Sequence, residues 1–258
     1  MVERVTMKTA GITHVGNVRP TNEDTFMIEC ESSPLFMLVA DGMGGHKAGE
    51  VASSMAVEFF SSYLQSTPRP EGYDLESYLR EGVLFANKKV YGLSKENEAY
   101  SGMGTTFSMA TVKDGSLYFA HIGDSRIYTV RQDEIKLITQ DHSYVAEMVR
   151  KGTIAEEEAR EHPRKNVLTR ALGTEETAVV DTGSVGLSDD DIILLCSDGL
   201  SNMVPDSEIC GILTAGQSKR GSIAETLEEK AGLLIRTANL NGGLDNISLI
   251  LIYSEPTI

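Results

Sequence analysis

Two apolar stretches that lie far apart in the chain each end in Asp-Gly. They are "FMLVADG" at residues 36–42 and "IILLCSDG" at residues 192–199. Short continuous apolar runs of this kind are typical of strands that are buried on both faces. Each aspartate therefore follows a rigid strand directly, and the glycine beside it allows another part of the backbone to come close. We expect Asp41 and Asp198 to emerge at the same rim of a sheet.

Four further acids occupy similar positions. Asp245 precedes the apolar run "NISLILIY", Asp124 lies between two predicted strands in "FAHIGDSRIY", and Glu23 and Asp24 lie in the loop between the first two predicted strands. A single aspartate at a strand end is often only a turn residue. Six acids near one rim repel one another unless cations cancel their charge. An all-oxygen set favours Mg²⁺ or Mn²⁺ over zinc.

Two basic residues near these acids are suited to a reaction on a phosphate group. A site with two divalent cations and a water molecule is typical of phosphoester hydrolysis. His46 follows Asp41 through a Met-Gly-Gly turn and is suited to protonate a leaving alkoxide near neutral pH. Arg19 precedes the Glu23-Asp24 pair and is suited to hold phosphate oxygens. Taken alone, His46 is equally compatible with a histidine of a surface loop, and Arg19 is better explained as a solvated loop cation.

The order of predicted elements favours antiparallel sheets covered by pairs of helices. Three short strands precede a helix from Ala48 and a second helix over about residues 75–93, and a four-strand meander follows over residues 105–139. Residues 141–172 are polar and partly helical. Further strands, two helices near residues 206–214 and 221–240, and a last strand complete the chain. Strands do not alternate singly with helices, so a doubly wound parallel sheet is not expected.

Composition and charge exclude several classes of protein. The 258 residues suit one large domain or two small ones, and the formal charge of −15 argues against nonspecific binding to nucleic acid or anionic lipid. The longest apolar runs reach six residues, whereas a bilayer requires about 20, and the N-terminus lacks a signal-like segment. Three cysteines without metal-ligand spacing suit a reducing cytosol. We expect a cytoplasmic protein, or the soluble part of one.

Six motifs carry a resemblance to a known family. "VRPTNEDTF", "VADGMGGHKAGEVAS", "GMGTTF", "IGDSRIY", "SDGL" and "DNIS" follow one another along the chain. The same order is found in the metal-dependent PPM/PP2C protein serine/threonine phosphatases, and the chain resembles their compact bacterial members from about Ala10 to Tyr253. Six ordered motifs at these spacings are far more specific than any one of them.

The resemblance implies an α+β fold. In this family an α-β-β-α four-layer sandwich places two antiparallel β-sheets between helix pairs, in agreement with the order of elements above. It also implies a single catalytic domain over residues 1–258, with a flap segment at about residues 141–172. Arg164, Lys165 and Arg170 in this flap either contact an acidic or phosphorylated substrate or are ordinary solvated charges.

The resemblance further implies a metal centre with two Mn²⁺ or Mg²⁺ ions. Asp41 matches the carboxylate that bridges both ions, and Gly42 matches the residue whose carbonyl binds the second. Asp198 and Asp245 match ligands of the first ion. Glu23 matches the acid that reaches the second ion through water.

The remaining roles implied by the resemblance concern a third ion, the substrate and the protein frame. Asp124, together with Asp198, matches the residues that hold a third, weaker ion. Asp24 matches a group that orients water at the metal centre, Arg19 the phosphate-binding arginine, and His46 the proposed general acid. Thr105 and Thr106 are expected to support the site without acting in catalysis.

These residues predict hydrolysis of phosphoserine and phosphothreonine in proteins by direct attack of a water that bridges two cations. The expected partners are phosphorylated proteins made by a partner Ser/Thr kinase; we expect a monomer that binds neither nucleic acid nor membrane. Two alternatives remain open. One is a phosphatase of a specialised partner switch, which the lack of an attached sensor domain disfavours. The other is a non-catalytic phosphoprotein-binding protein, which the intact metal-ligand motifs disfavour.

Overall fold

The computed structural model describes residues 7–29, 34–44, 48–69, 72–215 and 227–254. Within these residues the strands are β1 Met7–His14, β2 Asp24–Glu29, β3 Phe36–Met43, β4 Gly104–Thr105, β5 Phe107–Lys113, β6 Ser116–Ile122, β7 Arg126–Arg131, β8 Glu134–Leu137, β9 Asp181–Gly186, β10 Ile192–Cys196 and β11 Ile247–Ser254. The helices are α1 Ala48–Ser66, α2 Leu75–Glu96, α3 Tyr144–Arg150, α4 Glu156–Glu161, α5 Asp198–Ser201, α6 Asp206–Thr214 and α7 Leu227–Leu240.

The strands form two antiparallel sheets. One has the order β1-β11-β10-β7-β8, and the other has the order β2-β3-β5-β6-β9, with β4 paired to β3. The two sheets pack face to face, since side chains of β3 and β5 share an apolar cluster with side chains of β10 and β11. The predicted α+β architecture with two antiparallel sheets is confirmed.

Strand β3 explains why its sequence is a continuous apolar run. Phe36 and Leu38 point to one face, where they pack with residues of α1 and α2. Met37 and Val39 point to the other face and pack in the layer between the sheets. Because strand side chains alternate between the two faces, both faces of β3 must be apolar.

Strand β10 is buried in the same way within the other sheet. Leu194 and Cys196 pack on the cluster that includes α6 and α7, whereas Ile193 and Leu195 face the opposite sheet. Helices therefore cover the outer face of each sheet, which gives the four predicted layers. Cys196 is a free, fully buried thiol and serves as part of this core.

The predicted four-strand meander is wrong in one respect. Strands β5 and β6 belong to one sheet, whereas β7 and β8 belong to the other. The chain crosses between the sheets at Gly123, which has a φ of +115° and packs against Thr106. Alternation of apolar residues is the same in both sheets, so the pattern alone does not reveal the crossing. Asp124 lies at this crossing point.

Other boundaries differ in detail. The helix predicted near residues 221–240 is observed as α7, and residues 216–226 lie outside the described part of the chain. Helix α5, which begins at Asp198, was not predicted because one turn of helix is too short to show a period. Residues 141–172 are partly helical, as predicted, and contain α3 and α4. No helix in the described ranges is long and apolar enough to cross a membrane.

Candidate active site

An open cavity of about 560 Å³ lies where the ends of β3 and β10 meet at one end of the sandwich. The cavity brings together residues that are more than 200 positions apart in the chain. Seven of the nine predicted site residues line it: Arg19, Glu23, Asp41, Gly42, Asp124, Asp198 and Asp245. Asp41 lies in β3 of one sheet, and Asp198 begins α5 just after β10 of the other sheet, so their shared rim belongs to the sandwich and not to a single sheet.

Asp41 is fixed in place by hydrogen bonds between its backbone and the side chains of two threonines. The Asp41 N–H donates to Thr106 Oγ1 at 2.9 Å, and Thr105 Oγ1 donates to the Asp41 carbonyl at 2.9 Å. Thr106 Oγ1 also lies 2.7 Å from Ser125 Oγ. These bonds leave the Asp41 carboxylate facing the cavity, and they agree with the supporting role expected of the threonines.

Asp24 lies directly behind the cavity wall. It is the cross-strand partner of Asp41 in the β2–β3 ladder, and only 8% of its surface is exposed. Ser197 Oγ donates to Asp24 Oδ2 at 2.8 Å, while Oδ1 has no hydrogen-bond partner among the described residues. Burial is the largest cause that raises the pKa of Asp24 to about 7.

Asp198 is the first residue of α5. Its Oδ2 accepts a hydrogen bond of 3.0 Å from Asn202, whereas its buried Oδ1 has no partner in the described part of the chain. Burial, together with the charge of Asp245, raises the pKa of Asp198 to about 6. Burial and neighbouring carboxylates also hold the pKa values of Asp41 and Asp124 well above the usual range. The cavity therefore concentrates acids that a cation would stabilise.

Arg19 neutralises one of these acids in the structure. Its Nη2 donates to Asp245 Oδ2 at 2.7 Å, and the Asn246 N–H donates to Asp245 Oδ1 at 2.9 Å. Within the described ranges, no three Asp, Glu, His or Cys side chains are arranged so that they could hold a metal ion as they stand. Ligation by Asp245 would require its ion pair with Arg19 to open.

The donor set nevertheless fits a hard divalent cation. The cavity presents carboxylates from β3, from the β6–β7 crossing, from α5 and from the segment before β11. Two buried carboxylate oxygens, Asp198 Oδ1 in the cavity and Asp24 Oδ1 behind its wall, lack any partner among the described residues. Oxygen ligands of this kind suit Mg²⁺ or Mn²⁺.

Gly42 is required by its surroundings. A Cβ atom at this position would lie 2.0 Å from the Gly49 carbonyl oxygen in the first turn of α1 and 2.7 Å from the Glu23 carbonyl oxygen. The close approach of β3 and α1 brings the Glu23 side chain beside Gly49, at the edge of the cavity.

Asn246 and Ser197 hold the site together but were given no role from the sequence. Asn246 Oδ1 accepts the Glu23 N–H at 2.8 Å, and Asn246 Nδ2 donates to the carbonyls of Val15 and Thr21, both at 2.9 Å. Asn246 lies next to Asp245 in "DNIS", and Ser197 lies next to Asp198 in "SDGL". This adjacency to predicted metal ligands was the feature of the sequence that could have identified them.

The remaining predictions fall into two groups. His46 lies outside the described residues, so its role stays a prediction. In the flap, Asn166 and Leu168 line the cavity, whereas the three predicted cations do not. Arg164 stacks on the Tyr144 ring at 5.3 Å, and Arg170 pairs with Asp181 at 3.0 Å. Substrate contact by these cations is not supported by their positions.

Comparison with known proteins identifies the family. The model of the protein phosphatase 2C family matches residues 10–231. The chain belongs to the protein phosphatase 2C family. It is 41% identical over 244 residues to a serine/threonine phosphatase, stp, of Listeria monocytogenes, a match that covers 94% of each chain.

Solved structures agree with this assignment. The serine/threonine phosphatase Stp1 from Staphylococcus aureus superposes with a TM-score of 0.89 at 35% identity, covering 99% of this chain and 98% of the other. The catalytic domain of the phosphatase PstP, solved in complex with two manganese ions, superposes with a TM-score of 0.83 at 31% identity, covering 98% of this chain and 100% of the other. This protein phosphatase 2C is thus a protein serine/threonine phosphatase that acts on phosphoproteins and depends on divalent metal ions.

Proposed function

We propose that the acidic cavity is the active site, in which water directly attacks phosphoserine or phosphothreonine without a phosphoenzyme. The observation that carries the proposal is the convergence of Asp41, Asp198 and Asp245 from distant parts of the chain on one cavity. Arg19 lines the same cavity and supplies the guanidinium that a phosphate would require.

The proposed metal centre takes two Mn²⁺ or Mg²⁺ ions and a third, weaker one. Asp41, the Gly42 carbonyl and Glu23, through water, would hold one ion. Asp41, Asp198 and Asp245 would hold the other, and Asp124 with Asp198 would hold the third. When bound, such cations lower the pKa of a water molecule and neutralise phosphate charge.

The protein's own groups would bind and orient the substrate. Binding of a cation by Asp245 competes with its 2.7 Å ion pair to Arg19, so it would free the guanidinium to grip two phosphate oxygens. Asp24, held by Ser197, would orient the attacking water from behind the cavity wall. His46 is the proposed donor of a proton to the leaving serine or threonine oxygen.

We further propose the domain organisation, the substrates, the location and the oligomeric state of the enzyme. Residues 1–258 act as one catalytic domain, with residues 141–172 as the flap beside the cavity. The substrates are products of a partner Ser/Thr kinase in the cytoplasm, and the enzyme acts as a monomer. The formal charge of −15 supports the expectation that neither nucleic acid nor an anionic membrane is bound.

A phosphate-release assay tests this function. Purified protein with Mn²⁺ should release phosphate from a phosphothreonine peptide, and a strong chelator should stop the reaction. Asp41→Asn should lower kcat by about 10²–10³-fold or more, because loss of a bridging carboxylate removes several kcal/mol of charge stabilisation.

Asp114→Asn is the matched control, since Asp114 lies in the β5–β6 turn with a φ of 50° that asparagine also tolerates. It should leave kcat unchanged. Activity that survives the chelator, or an Asp41→Asn enzyme as fast as the native one, would overturn the proposed mechanism.

A further inference from the structure

His142 lies where the flap leaves the sandwich. The two ends of the flap pair with each other: the Tyr144 N–H donates to the Val167 carbonyl at 2.8 Å, and the Thr169 N–H donates to the His142 carbonyl at 2.8 Å. Ser143 and Leu168 form a β-bridge between these bonds. Movement of His142 would therefore move both ends of the flap.

The same histidine holds the turn that carries Asp124. The His142 backbone N–H donates to the Gly123 carbonyl at 2.7 Å, and the Gly123 N–H donates to His142 Nδ1 at 3.1 Å. Gly123 precedes Asp124 and has a φ of +115°, at the point where the chain crosses between the sheets. His142 thus binds both backbone polar groups of the residue that sets the direction of Asp124.

These bonds assign the proton of the neutral ring. The Gly123 N–H can only donate, so Nδ1 must be the unprotonated nitrogen and Nε2 must carry the proton. His142 Nε2 lies 3.0 Å from Asp181 Oδ2 and donates to it. Arg170 Nη1 lies 3.2 Å from the same nitrogen, but a guanidinium can only donate, so with Nε2 protonated both groups direct their N–H bonds to the Asp181 carboxylate. Arg170 Nη1, at the other end of the flap, donates to Asp181 Oδ1 at 3.0 Å. One carboxylate on β9 therefore joins both ends of the flap.

The surroundings of His142 keep its imidazole ring neutral. Only 2% of the His142 side chain is exposed, and burial lowers its pKa although Asp181 opposes that effect. The His142 ring packs on the ring of His121, with centroids 4.9 Å apart. Burial lowers the pKa of His121 to about 4, so its ring is also neutral at physiological pH. Arg150 is the other cation near His142, and its guanidinium donates to the Asp141 carbonyl.

We propose that His142 is a positioning residue with two separate functions, one at each ring nitrogen. Nδ1 fixes the Gly123–Asp124 turn and so prepares Asp124 to bind a divalent cation. Nε2 acts through Asp181 and Arg170 and fixes the base of the flap beside the cavity. The first function rests on the proposed role of Asp124 as a ligand of the third ion.

Two amide substitutions separate these functions. In His142→Asn the side-chain oxygen replaces Nδ1 and still accepts the Gly123 N–H, but the amide does not reach Asp181. In His142→Gln the amide nitrogen replaces Nε2 and still donates to Asp181, but the Gly123 N–H loses its acceptor. His162→Gln makes the same chemical change elsewhere in the flap and is the matched control.

Calorimetric titration with Mn²⁺ tests the function of Nδ1. The binding event of interest is the one present in the native protein and absent from Asp124→Asn. His142→Gln should weaken it by about 10-fold or more, as is usual when the group that orients a ligand is lost. His142→Asn and His162→Gln should stay within about 2-fold of the native value. Equal loss in both His142 variants, an unchanged His142→Gln, or a native protein without an Asp124-dependent event would overturn the proposal.

Steady-state kinetics tests the function of Nε2. Asp181→Asn still accepts a hydrogen bond from His142 but loses the charge that holds Arg170. This variant and His142→Asn should raise KM for a phosphothreonine peptide more than they lower kcat, without weakening the Asp124-dependent Mn²⁺ event. Weaker Mn²⁺ binding with an unchanged KM in Asp181→Asn would contradict the assignment.

Hydrogen exchange in the native protein supplies a test that does not depend on the folding of a variant. The Gly123 amide should exchange slowly, because it is bonded to a buried ring. Rapid exchange of that amide would overturn the proposal. The Mn²⁺ isotherms do not require turnover, so a failure of the proposed hydrolysis would appear separately, as absence of phosphate release by the native enzyme.

Discussion

A single neutral side chain joins three segments around the acidic cavity. Asn246 accepts the Glu23 N–H and donates to the carbonyls of Val15 and Thr21, and only 4% of its surface is exposed. The loop that carries Arg19 and Glu23 is thereby fixed to the segment that carries Asp245. Charged residues meet at this site because an uncharged amide satisfies the backbone groups between them.

Asn246→Ala should destabilise the protein by about 1–2 kcal/mol, because it leaves one backbone donor and two backbone acceptors, all partly buried, without their partner. It should also lower kcat, since Glu23 and Arg19 lose their fixed position. Unfolding in urea measures the first effect and phosphopeptide hydrolysis the second.

Asn241→Ala is the matched control for this prediction. Asn241 is exposed, and its side chain donates one hydrogen bond, to the Met203 carbonyl at 2.9 Å. Its loss should change stability by less than about 0.5 kcal/mol. Similar losses in the two variants would refute the joining role given to Asn246.

At the scale of elements, the site depends on how closely β3 approaches the start of α1. Gly42 and Gly49 face each other so tightly that a Cβ on Gly42 would lie 2.0 Å from the Gly49 carbonyl oxygen. The groups that this Cβ would meet are the backbone carbonyls of Gly49 and Glu23, which cannot rotate away as a side chain could. The Asp-Gly pair at the end of the strand is therefore a packing requirement as well as part of the proposed metal site.

Gly42→Ala should lower stability by about 1–3 kcal/mol through overpacking, and it should weaken Mn²⁺ binding by displacing β3. Gly186→Ala is the control, because a Cβ on this β9 residue would meet nothing within 4 Å. Differential scanning calorimetry of the two proteins checks the prediction. A Tm for Gly42→Ala equal to that for Gly186→Ala would show that the contact is not restrictive.

The sequence predicted elements better than it predicted their arrangement. Apolar runs such as β3 and β10 are recognisable because strands buried on both faces have no polar alternation. The division of β5–β6 and β7–β8 between two sheets was missed, since a crossing at Gly123 looks locally like any other turn. The network of His142, Asp181 and Arg170 was also missed, because its bonds join residues that are distant in sequence and share no motif.

At the scale of the whole molecule, the carboxylates that line the acidic cavity repel one another, and bound cations should relieve this repulsion. The formal charge is −15, and burial holds the pKa values of Asp41 and Asp124 well above the usual range. Ligands that bind only the folded state stabilise it by mass action. The fold and the proposed chemistry are therefore linked through stability.

Saturating Mn²⁺ should raise the Tm by about 5 °C or more relative to protein in a chelator, which corresponds to about 2–3 kcal/mol for a chain of this size. Asp41→Asn should lose most of this shift. Thermal scans with and without the chelator provide the measurement. The same Tm under both conditions would mean that the carboxylates do not bind the ion.

The most direct measurement is anomalous diffraction at the manganese edge from crystals of the native protein grown with Mn²⁺. We expect anomalous peaks inside the cavity, in contact with Asp41, Asp198 and Asp245, and an Arg19 guanidinium that has left Asp245. Peaks only at other sites, or an Arg19–Asp245 pair that stays intact in fully active enzyme, would show that the cavity is not the proposed metal centre.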